Sequence, residues 1–430
     1  MEAVQALGSM SGLALLAMMW SRRHGEASLS KLPRLELLWF HASVTYPVLA
    51  KGPLGDLIVG ASEDRGTAYI VRVFGPALLV SLIVIVRRLF DAQPRPFVPG
   101  LLFAGAAVTG VPFVISGEAG PLTVLSVVLA LPVLFMGNRV IDIEAWGKHA
   151  RIAVVVITTT FLVTAWVSPD DVVGKCWGDK CVVFGQLLTS SVTQNANFSG
   201  LAIALLMPWA LWRLRTGPML VFGLSCLGVI TLSGSRSSTV TAAFVLLFML
   251  LASRPKTDVR RVAGAAAAVG LAASLVTAIG HFSYETATYR GALWMRAREL
   301  FEAAPLVGWG PNYWENQTML GGFGPNYAAH NLWLELAEAG GVAMVALIAL
   351  SGVTLLVSTP RALRPAVLFG LAAVLALGML EAPLQPAEIG IVPFAGLLPL
   401  MITSTSRSPS ASATKPASKR RTPTRTRSYR

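Results

Sequence analysis

The chain has 430 residues, of which 54% are hydrophobic and only 13% are charged, and its formal net charge is +13. The apolar residues come in long blocks that can cross about 30 Å of hydrocarbon, which excludes an ordinary soluble globular protein and predicts a polytopic membrane protein. The basic excess does not indicate nucleic-acid binding, because most Lys and Arg residues fall in short loops and in the terminal tail.

Twelve apolar blocks predict membrane-spanning helices, and a thirteenth block, residues 35–50, is weaker. In chain order the twelve are 3–20, 70–86, 98–116, 121–137, 152–167, 198–212, 217–233, 238–253, 262–280, 331–358, 365–380 and 389–403. The first block has no charged n-region and no small-residue cleavage site, so it predicts a retained helix and not a signal peptide. The expected fold is an all-α transmembrane helix bundle of about 12–13 helices within residues 1–403.

The Lys and Arg residues also predict how the bundle is oriented, because basic loops are retained on the cytoplasmic side. With thirteen helices and an exterior N-terminus, most of the 35 Lys and Arg residues lie on one side of the membrane. Omitting the helix at 35–50 would invert the N-terminal segment relative to this pattern. We therefore include it, and expect the loops 168–197 and 281–330 to be exterior.

The exterior loop 168–197 contains two of the three cysteines, in the sequence "CWGDKC". An oxidising compartment permits a disulfide between Cys176 and Cys181 that closes a short loop. A zinc site would need more ligands than this loop offers. Cys226 lies inside an apolar block, where a thiol usually serves packing.

The stretch "TLSGSRSSTV" places the full charge of Arg236 between two apolar blocks, with no acidic residue nearby in sequence. A charge at membrane depth costs about 2.5–3.5 kcal/mol on insertion scales, so it normally has a partner or a purpose. Serine hydroxyls and a helix N-terminus beside the arginine are typical of an anion site. The alternative is a plain cap at the membrane interface.

The 50-residue loop 281–330 is long for a chain in which most other loops have only a few residues, and long loops are usually functional. It begins with a predicted amphipathic helix that ends at Pro305. Its apolar face comprises Leu293, Trp294, Ala297, Leu300, Phe301 and Ala304. Arg290 lies on this face and is expected to point toward the membrane body, whereas Arg296 and Arg298 either bind an anion or extend to lipid head groups.

His330 closes this loop at the exterior mouth of the next apolar block, in "GPNYAAHNLWLELAEAGG". Lone histidines are more often structural than catalytic. A general base beside two arginines in surroundings that favour anion binding, however, forms a coherent active site. His281 is the other exterior histidine. Glu335 or Glu338, one or two helical turns beyond His330, could orient the imidazole or could contact polar neighbours.

The tail 404–430 is rich in Ser, Thr, Pro and Arg and has no apolar periodicity, which predicts a disordered cytoplasmic segment. It is either a solvated segment attracted to anionic lipid head groups or a regulatory, partner-binding segment.

Three blocks in this order resemble the signature blocks of the O-antigen ligase and O-antigen polymerase superfamily: "TLSGSRSS", "YRGALWMRARELFEAAPLVGWGPN" and "HNLWLELAEAGGVAM". Members carry a Ser-Arg pair after a central helix, an R-x-x-x-W block leading to P-x-x-G-x-G, and a His-Asn pair followed by Glu and Gly. The segment "QNANFSG", with Asn197, stands where members often have an Asn before a helix. The resemblance covers residues 180–400.

This resemblance implies glycosyl transfer at the exterior, periplasmic face of a bacterial cytoplasmic membrane, without metal or other cofactor. The donor would be a polyprenyl-diphosphate-linked glycan such as an undecaprenyl diphosphate derivative, and the acceptor a hydroxyl of a glycan or glycolipid. His330 would be the base, Arg236 and Arg290 would hold the leaving diphosphate, and the anomeric centre would be inverted. Secondary candidates for the site are Arg296, Arg298, Asn197, Asn331 and Glu338.

A transporter, either a lipid-linked glycan flippase or a polysaccharide export permease, is the alternative, because it also needs intramembrane basic residues. Internal repeats and paired broken helices would favour transport. The sequence shows one break, at 233–238, and no duplicated segment, so the long exterior loop favours the enzyme. The motifs do not distinguish a ligase from a polymerase, because they do not identify the acceptor.

Overall fold

The computed structural model describes residues 35–52, 67–89, 97–109, 143–175, 186–190, 192, 195–311, 313–314, 328–384 and 390–405. The predicted helices at 3–20 and 121–137, the Cys176–Cys181 disulfide and residues 406–430 of the tail lie outside this part of the chain. The last described helix ends at Thr405, two residues into the predicted tail.

The described chain is almost entirely helical. A first set of helices comprises α1 (Leu35–Phe40), a π-helical turn (His41–Thr45), α2 (Tyr46–Ala50), α3 (Thr67–Leu89), α4 (Val98–Val108), α5 (Ile143–Val167) and α6 (Pro169–Val172). After the short strands β1 (Val173–Lys175) and β2 (Gln186–Leu188) follow α7 (Ala196–Leu211), α8 (Thr216–Leu232), α9 (Arg236–Ala252), α10 (Val259–Ile279) and α11 (Thr286–Ala303). The chain continues with α12 (Leu332–Ser358), α13 (Arg364–Leu377), α14 (Ile391–Gly396) and α15 (Leu398–Thr405).

The outward faces of these helices are apolar, as in a protein surrounded by lipid. Large hydrophobic side chains remain exposed on α3, α5, α8, α10 and α12, including Val155, Val221, Val276 and Val353. Among the described residues α5, α10 and α12 are long and apolar enough to cross a membrane, and shorter apolar stretches of 10–17 residues, such as Val71–Val86 within α3, lie in other helices. The prediction of an all-α helical membrane protein is confirmed, and the number of crossings stays a prediction.

Helix α7 is the centre of the bundle. It packs against α5, α8, α9, α13 and α14, and nearly all of its side chains are buried. A helix that is apolar all round belongs in the interior, and the sequence "LAIALLMPWAL" has that pattern. Because its first turn abuts the start of α9, α7 also supports the site described below.

The weak block at 35–50 forms a nearly continuous helix, made of α1, the π-helical turn and α2. Leu37, Trp39, Phe40 and Val44 are fully buried, and the Trp39 indole donates a 2.9 Å hydrogen bond to Ser81 of α3. The sequence therefore predicted the helix. The polar residues that lower its hydropathy, including Glu36, Ser43 and Thr45, are buried within the bundle.

The described part of the loop 168–197 forms a short helix, α6, and a two-stranded antiparallel ribbon, neither of which the sequence predicted. Val173 pairs with Leu188 and Lys175 with Gln186. The disulfide prediction falls on the residues between the two strands, which lie outside the described part of the chain.

The predicted amphipathic helix is present as α11. Leu293, Trp294, Ala297 and Leu300 are buried in a second hydrophobic cluster, which also includes Trp314 and Leu334. The helix ends at Ala303, two residues before Pro305, as the sequence predicts. This cluster holds α11 against the N-terminal half of α12.

Helix α12, predicted as a continuous span, is broken at Gly340 and Gly341, whose backbone angles are not helical. Residues 305–310 replace the helical hydrogen bonds that the break removes: Trp309 N–H donates to Glu338 O at 2.8 Å, and Val342 N–H donates to Pro305 O at 2.8 Å. Buried backbone groups must be paired. The P-x-x-G-x-G segment therefore serves as a strap that closes the break in α12.

Gly308→Ala is expected to destabilise the protein by about 2–4 kcal/mol, since overpacking adds to the strain of a left-handed residue. Gly308 has φ +67°, and a Cβ atom there would overlap Glu338 O and lie 2.6 Å from Gly340 N. Gly352→Ala in α12 is the control, because a Cβ atom there meets nothing within 4 Å. Thermal unfolding in detergent measures both variants, and equal melting temperatures would contradict this account of the strap.

Candidate active site

Glu381 connects side chains from three distant parts of the chain. Its Oε1 accepts hydrogen bonds from Arg290 Nη2 at 2.6 Å and from Ser237 Oγ at 2.9 Å, and its Oε2 lies 2.9 Å from His330 Nδ1. The carboxylate side chain is 6% exposed, whereas those of Arg290 and His330 are 18% and 24% exposed. A buried acid thus holds two of the three predicted site residues at a partly open surface.

The turn after α13 carries Glu381 and is tied to its neighbours by backbone contacts. Leu332 N–H donates to Gly378 O at 2.9 Å, and the Thr277 hydroxyl donates to Met379 O at 3.0 Å. Asn331 Nδ2 also points at Met379 O, at 3.3 Å. Because α10, α12 and this turn are joined in this way, the position of Glu381 relative to His330 is set by the scaffold.

His330 has φ +51°, a left-handed conformation that is uncommon for a residue other than glycine. Contacts on both sides hold it there: Glu335 Oε2 accepts the Ala329 N–H at 2.8 Å, and the Asn331 side chain accepts the N–H groups of Trp333 and Leu334 as the N-cap of α12. With Nδ1 directed at Glu381, Nε2 is the ring nitrogen that can take a proton.

Arg290 follows a second left-handed stretch. Ala287, Thr288 and Tyr289 have φ of 53°, 60° and 65°, and left-handed residues cost about 1–2 kcal/mol each when they are not glycine. The regular part of α11 starts after them and carries Arg290 toward Glu381. Strained backbone therefore flanks both Arg290 and His330, as is common at functional sites.

Arg236 is exposed and begins α9, next to Ser237. Since consecutive Cα atoms are about 3.8 Å apart, it stands at the edge of the Glu381 cluster. Three of the neighbouring serines are buried and have hydroxyl partners within the protein: Ser233 donates to Ile230 O, and Ser235 and Ser238 pair with each other. Ser237 is the hydroxyl that reaches the cluster.

Two helices start around this cluster. α9 begins at Arg236, next to Ser237, and α12 begins just after His330. Helix N-termini carry partial positive charge. The site thus combines two positive helix ends with the Arg290 guanidinium beside one carboxylate.

The secondary candidates occupy other places. Arg298 donates to the carbonyls of Thr277, Ala278 and Gly280 and so caps the C-terminal end of α10, while Arg296 pairs with Glu299 at 3.0 Å. Asn331 is fully buried, with its amide on Ser274 O and Thr277 Oγ1.

Asn197 lies in the first turn of α7, where its N–H donates to Asn195 Oδ1. Glu338 accepts from the Trp314 indole at 2.7 Å. The structure thus brings His330, Arg290 and the start of α9 together at Glu381.

The charge state of Glu381 follows from its partners. Burial by itself would raise the pKa of this carboxyl, but the Arg290 guanidinium and hydrogen bonds from His330 and Ser237 lower the pKa to about 2. The carboxylate is therefore ionised at neutral pH and accepts from every neighbour that contacts it.

Sequence reasoning missed Glu381, and it treated Ser237 only as one of the serine hydroxyls beside Arg236. The signal available was indirect: the arginines at membrane depth need a counter-ion, and Glu381 directly follows the block 365–380 on the side predicted to be exterior. The search for an acid near Arg236 in sequence could not find it, since 144 residues separate Glu381 from Ser237. Within the described residues there is no group of three or more His, Cys, Asp or Glu side chains that could hold a metal ion.

Comparison with known protein families matches residues 220–343 to the family described as O-antigen ligase. The matched region contains Arg236, Arg290 and His330 and ends before Glu381. Curated proteins and solved structures gave no match. The resemblance predicted from the three sequence blocks is confirmed: residues 220–343 of this membrane protein match the O-antigen ligase family.

Proposed function

We propose that this protein transfers a glycan from a polyprenyl diphosphate carrier to an acceptor hydroxyl at the outer face of a bacterial cytoplasmic membrane. The observation that carries the proposal is the contact of one buried carboxylate, Glu381, with both His330 and Arg290. A base and a diphosphate ligand must reach the same substrate, and this carboxylate places them side by side. The family match supports the class of reaction.

In the proposed step His330 acts as the base. Its Nδ1–H donates to Glu381, so the Nε2 lone pair is directed to the acceptor and takes the proton of the attacking hydroxyl. The acceptor oxygen bonds to the anomeric carbon while the bond from that carbon to the diphosphate oxygen breaks. The electron pair leaves with the diphosphate, and attack from the opposite face inverts the anomeric centre.

The leaving diphosphate gains negative charge, which fixed positive groups must stabilise. Arg290 and Arg236 provide guanidinium groups that can bind phosphate oxygens in a bidentate manner. The N-termini of α9 and α12, whose neighbouring residues Ser237 and His330 contact Glu381, add partial positive charge. The reaction is proposed to need no metal or other cofactor, since these groups supply the required charge.

Glu381 has two roles in this scheme. It orients the His330 imidazole, and it neutralises Arg290 while the diphosphate is absent, because an unpaired guanidinium that is 18% exposed is costly. Ser237 holds the same carboxylate oxygen as Arg290. When the donor binds, its phosphates add to this network as further acceptors for Arg290.

The transporter alternative has one observation in its favour, the discontinuity of α12 at Gly340 and Gly341. In transporters the freed backbone groups of broken helices coordinate the cargo. Here Glu338 O and the Val342 N–H bond to the strap 305–310 and are not directed at a ligand. The break is thus a packed joint, which favours the enzyme.

The lipid-linked glycans of cells with and without the gene test the proposed function. We expect the carrier-linked glycan to accumulate when the gene is deleted, as an accumulated single-repeat carrier for a polymerase or as full-length unattached polymer for a ligase. A plasmid copy of the parental gene should remove the accumulated carrier-linked glycan. An unchanged carrier pool on the outer face, or carrier retained on the inner face, would reject the enzyme, and the second result would support a flippase.

A further inference from the structure

The turn before Arg290 has a conformation that its residue types disfavour. Ala287, Thr288 and Tyr289 are all left-handed, and the segment folds back so that Ala292 N–H donates to Tyr284 O at 3.3 Å and Thr286 N–H donates to Ser283 O at 3.0 Å. Glycine would adopt this backbone without strain. The chain nevertheless carries a large aromatic side chain at Tyr289.

Tyr289 and Tyr284 form an aromatic pair at the surface. Their ring centroids are 5.9 Å apart at an interplanar angle of 74°, and the residues are 46% and 45% exposed. The nearby Phe282, by contrast, packs on the buried Trp294, with ring centroids 5.1 Å apart. The turn therefore presents one pair of rings outward while α11 buries its own apolar face.

The position of this pair relates it to the site. Tyr289 directly precedes Arg290, whose guanidinium contacts Glu381 at 2.6 Å. The first sugar of a carrier-linked glycan is bonded to the diphosphate, so it lies next to whatever binds the phosphates. Tyrosine rings pack against the C–H face of a sugar, and their hydroxyl groups can hydrogen-bond sugar hydroxyls.

We propose that Tyr289 and Tyr284 form an aromatic platform that binds the sugar residues of the carrier-linked glycan beside the diphosphate. This inference rests on the proposed function and adds the part of the site that recognises sugar. Backbone strain retained at a ligand site is the expected cost of presenting such a side chain. Tyrosine in a membrane-interface belt is the competing explanation, and the experiment separates the two.

The test measures binding to the full-length protein in lipid nanodiscs of phosphatidylethanolamine and phosphatidylglycerol. Two probes are used: the glycan-linked carrier extracted from cells that lack the gene, and polyprenyl diphosphate without sugar. Tyr289→Gly is expected to weaken binding of the glycan-linked carrier about three- to tenfold, the range of an aromatic contact, and to leave the sugar-free carrier unchanged. Tyr289→Phe should retain most of the binding.

Thr288→Gly is the matched control, because it relieves strain in the same turn at an exposed residue without removing a phenol. It should bind both probes like the parent. If Tyr289→Gly weakens both probes equally, or neither, the platform is rejected, and the first result would favour a lipid-interface role. If Arg290→Ala leaves binding of both probes unchanged, the proposed function fails, whereas a selective effect of Tyr289→Gly would still support the platform.

Discussion

His330→Ala is expected to lower glycan transfer by roughly 10²–10⁴-fold, the usual contribution of a general base, while the protein still inserts and folds. The imidazole is 24% exposed and contributes little to packing, so its removal opens space at the surface and not in the core. The Arg290–Glu381 contact at 2.6 Å does not depend on the histidine and should persist. Transfer is measured with purified protein, extracted carrier-linked glycan and the cellular acceptor.

His281→Ala is the matched control for this experiment. His281 lies in the same loop and is exposed, but it has no contact with Glu381 among the described hydrogen bonds. It should transfer glycan at the parental rate. If His330→Ala also transfers glycan at the parental rate, His330 is not the base, and the transporter hypothesis would be favoured over the enzyme.

Glu381→Gln is expected to reduce transfer by about 10²–10⁴-fold as well, since it affects the base and the arginine together. The amide keeps the size of the side chain but carries no charge, so Arg290 loses its ionic partner and His330 loses the acceptor that sets its tautomer. Removing one member of a buried ion pair typically costs about 3–5 kcal/mol of stability. A lower melting temperature should therefore accompany the loss of transfer.

Glu302→Gln serves as the control, because Glu302 is an exposed acid on α11 away from these contacts. Its stability and activity should match those of the parent. If Glu381→Gln lowers the melting temperature but transfers glycan normally, Glu381 would be structural and the proposed link between base and arginine would be wrong.

The pH dependence of the Glu381 contribution follows from its lowered pKa of about 2, against an ordinary value of 4.5. A group whose pKa is lower in the folded state stabilises the protein above the unfolded pKa and loses that contribution as pH falls through the folded pKa. The stability difference between the parent and Glu381→Gln should thus be constant above pH 4.5 and shrink toward pH 2.

Several features of this protein were predictable because they depend on local sequence. The apolar blocks predicted α5, α10 and α12, since a lipid-facing helix must be apolar along its whole length. The i, i+3, i+4 spacing of Leu293, Trp294 and Ala297 predicted the buried face of α11. The three motif blocks predicted the family, and the same blocks contain Arg236, Arg290 and His330.

Other features depend on contacts between distant parts of the chain. An acidic residue in "MLEAPLQ" has no sequence feature that distinguishes it from a solvated loop residue, and Glu381 became important only because α10, α12 and α13 bring it to Arg290 and His330. The sequence did not predict the break of α12 either. Two glycines can remain in a helix, and the strap at 305–310 provides the hydrogen bonds that make the break stable.

The sequence by itself thus determined the membrane class, the helical fold and the chemical types available for the site, because hydropathy, periodicity and charge act over a few neighbouring residues. Only the tertiary structure decided which of the exterior charges meet, because a carboxylate stabilises an arginine 91 residues away only after the helices have packed. It also assigned Arg298 to the end of α10 and Asn331 to the start of α12, where backbone groups left unpaired by the helix ends need partners.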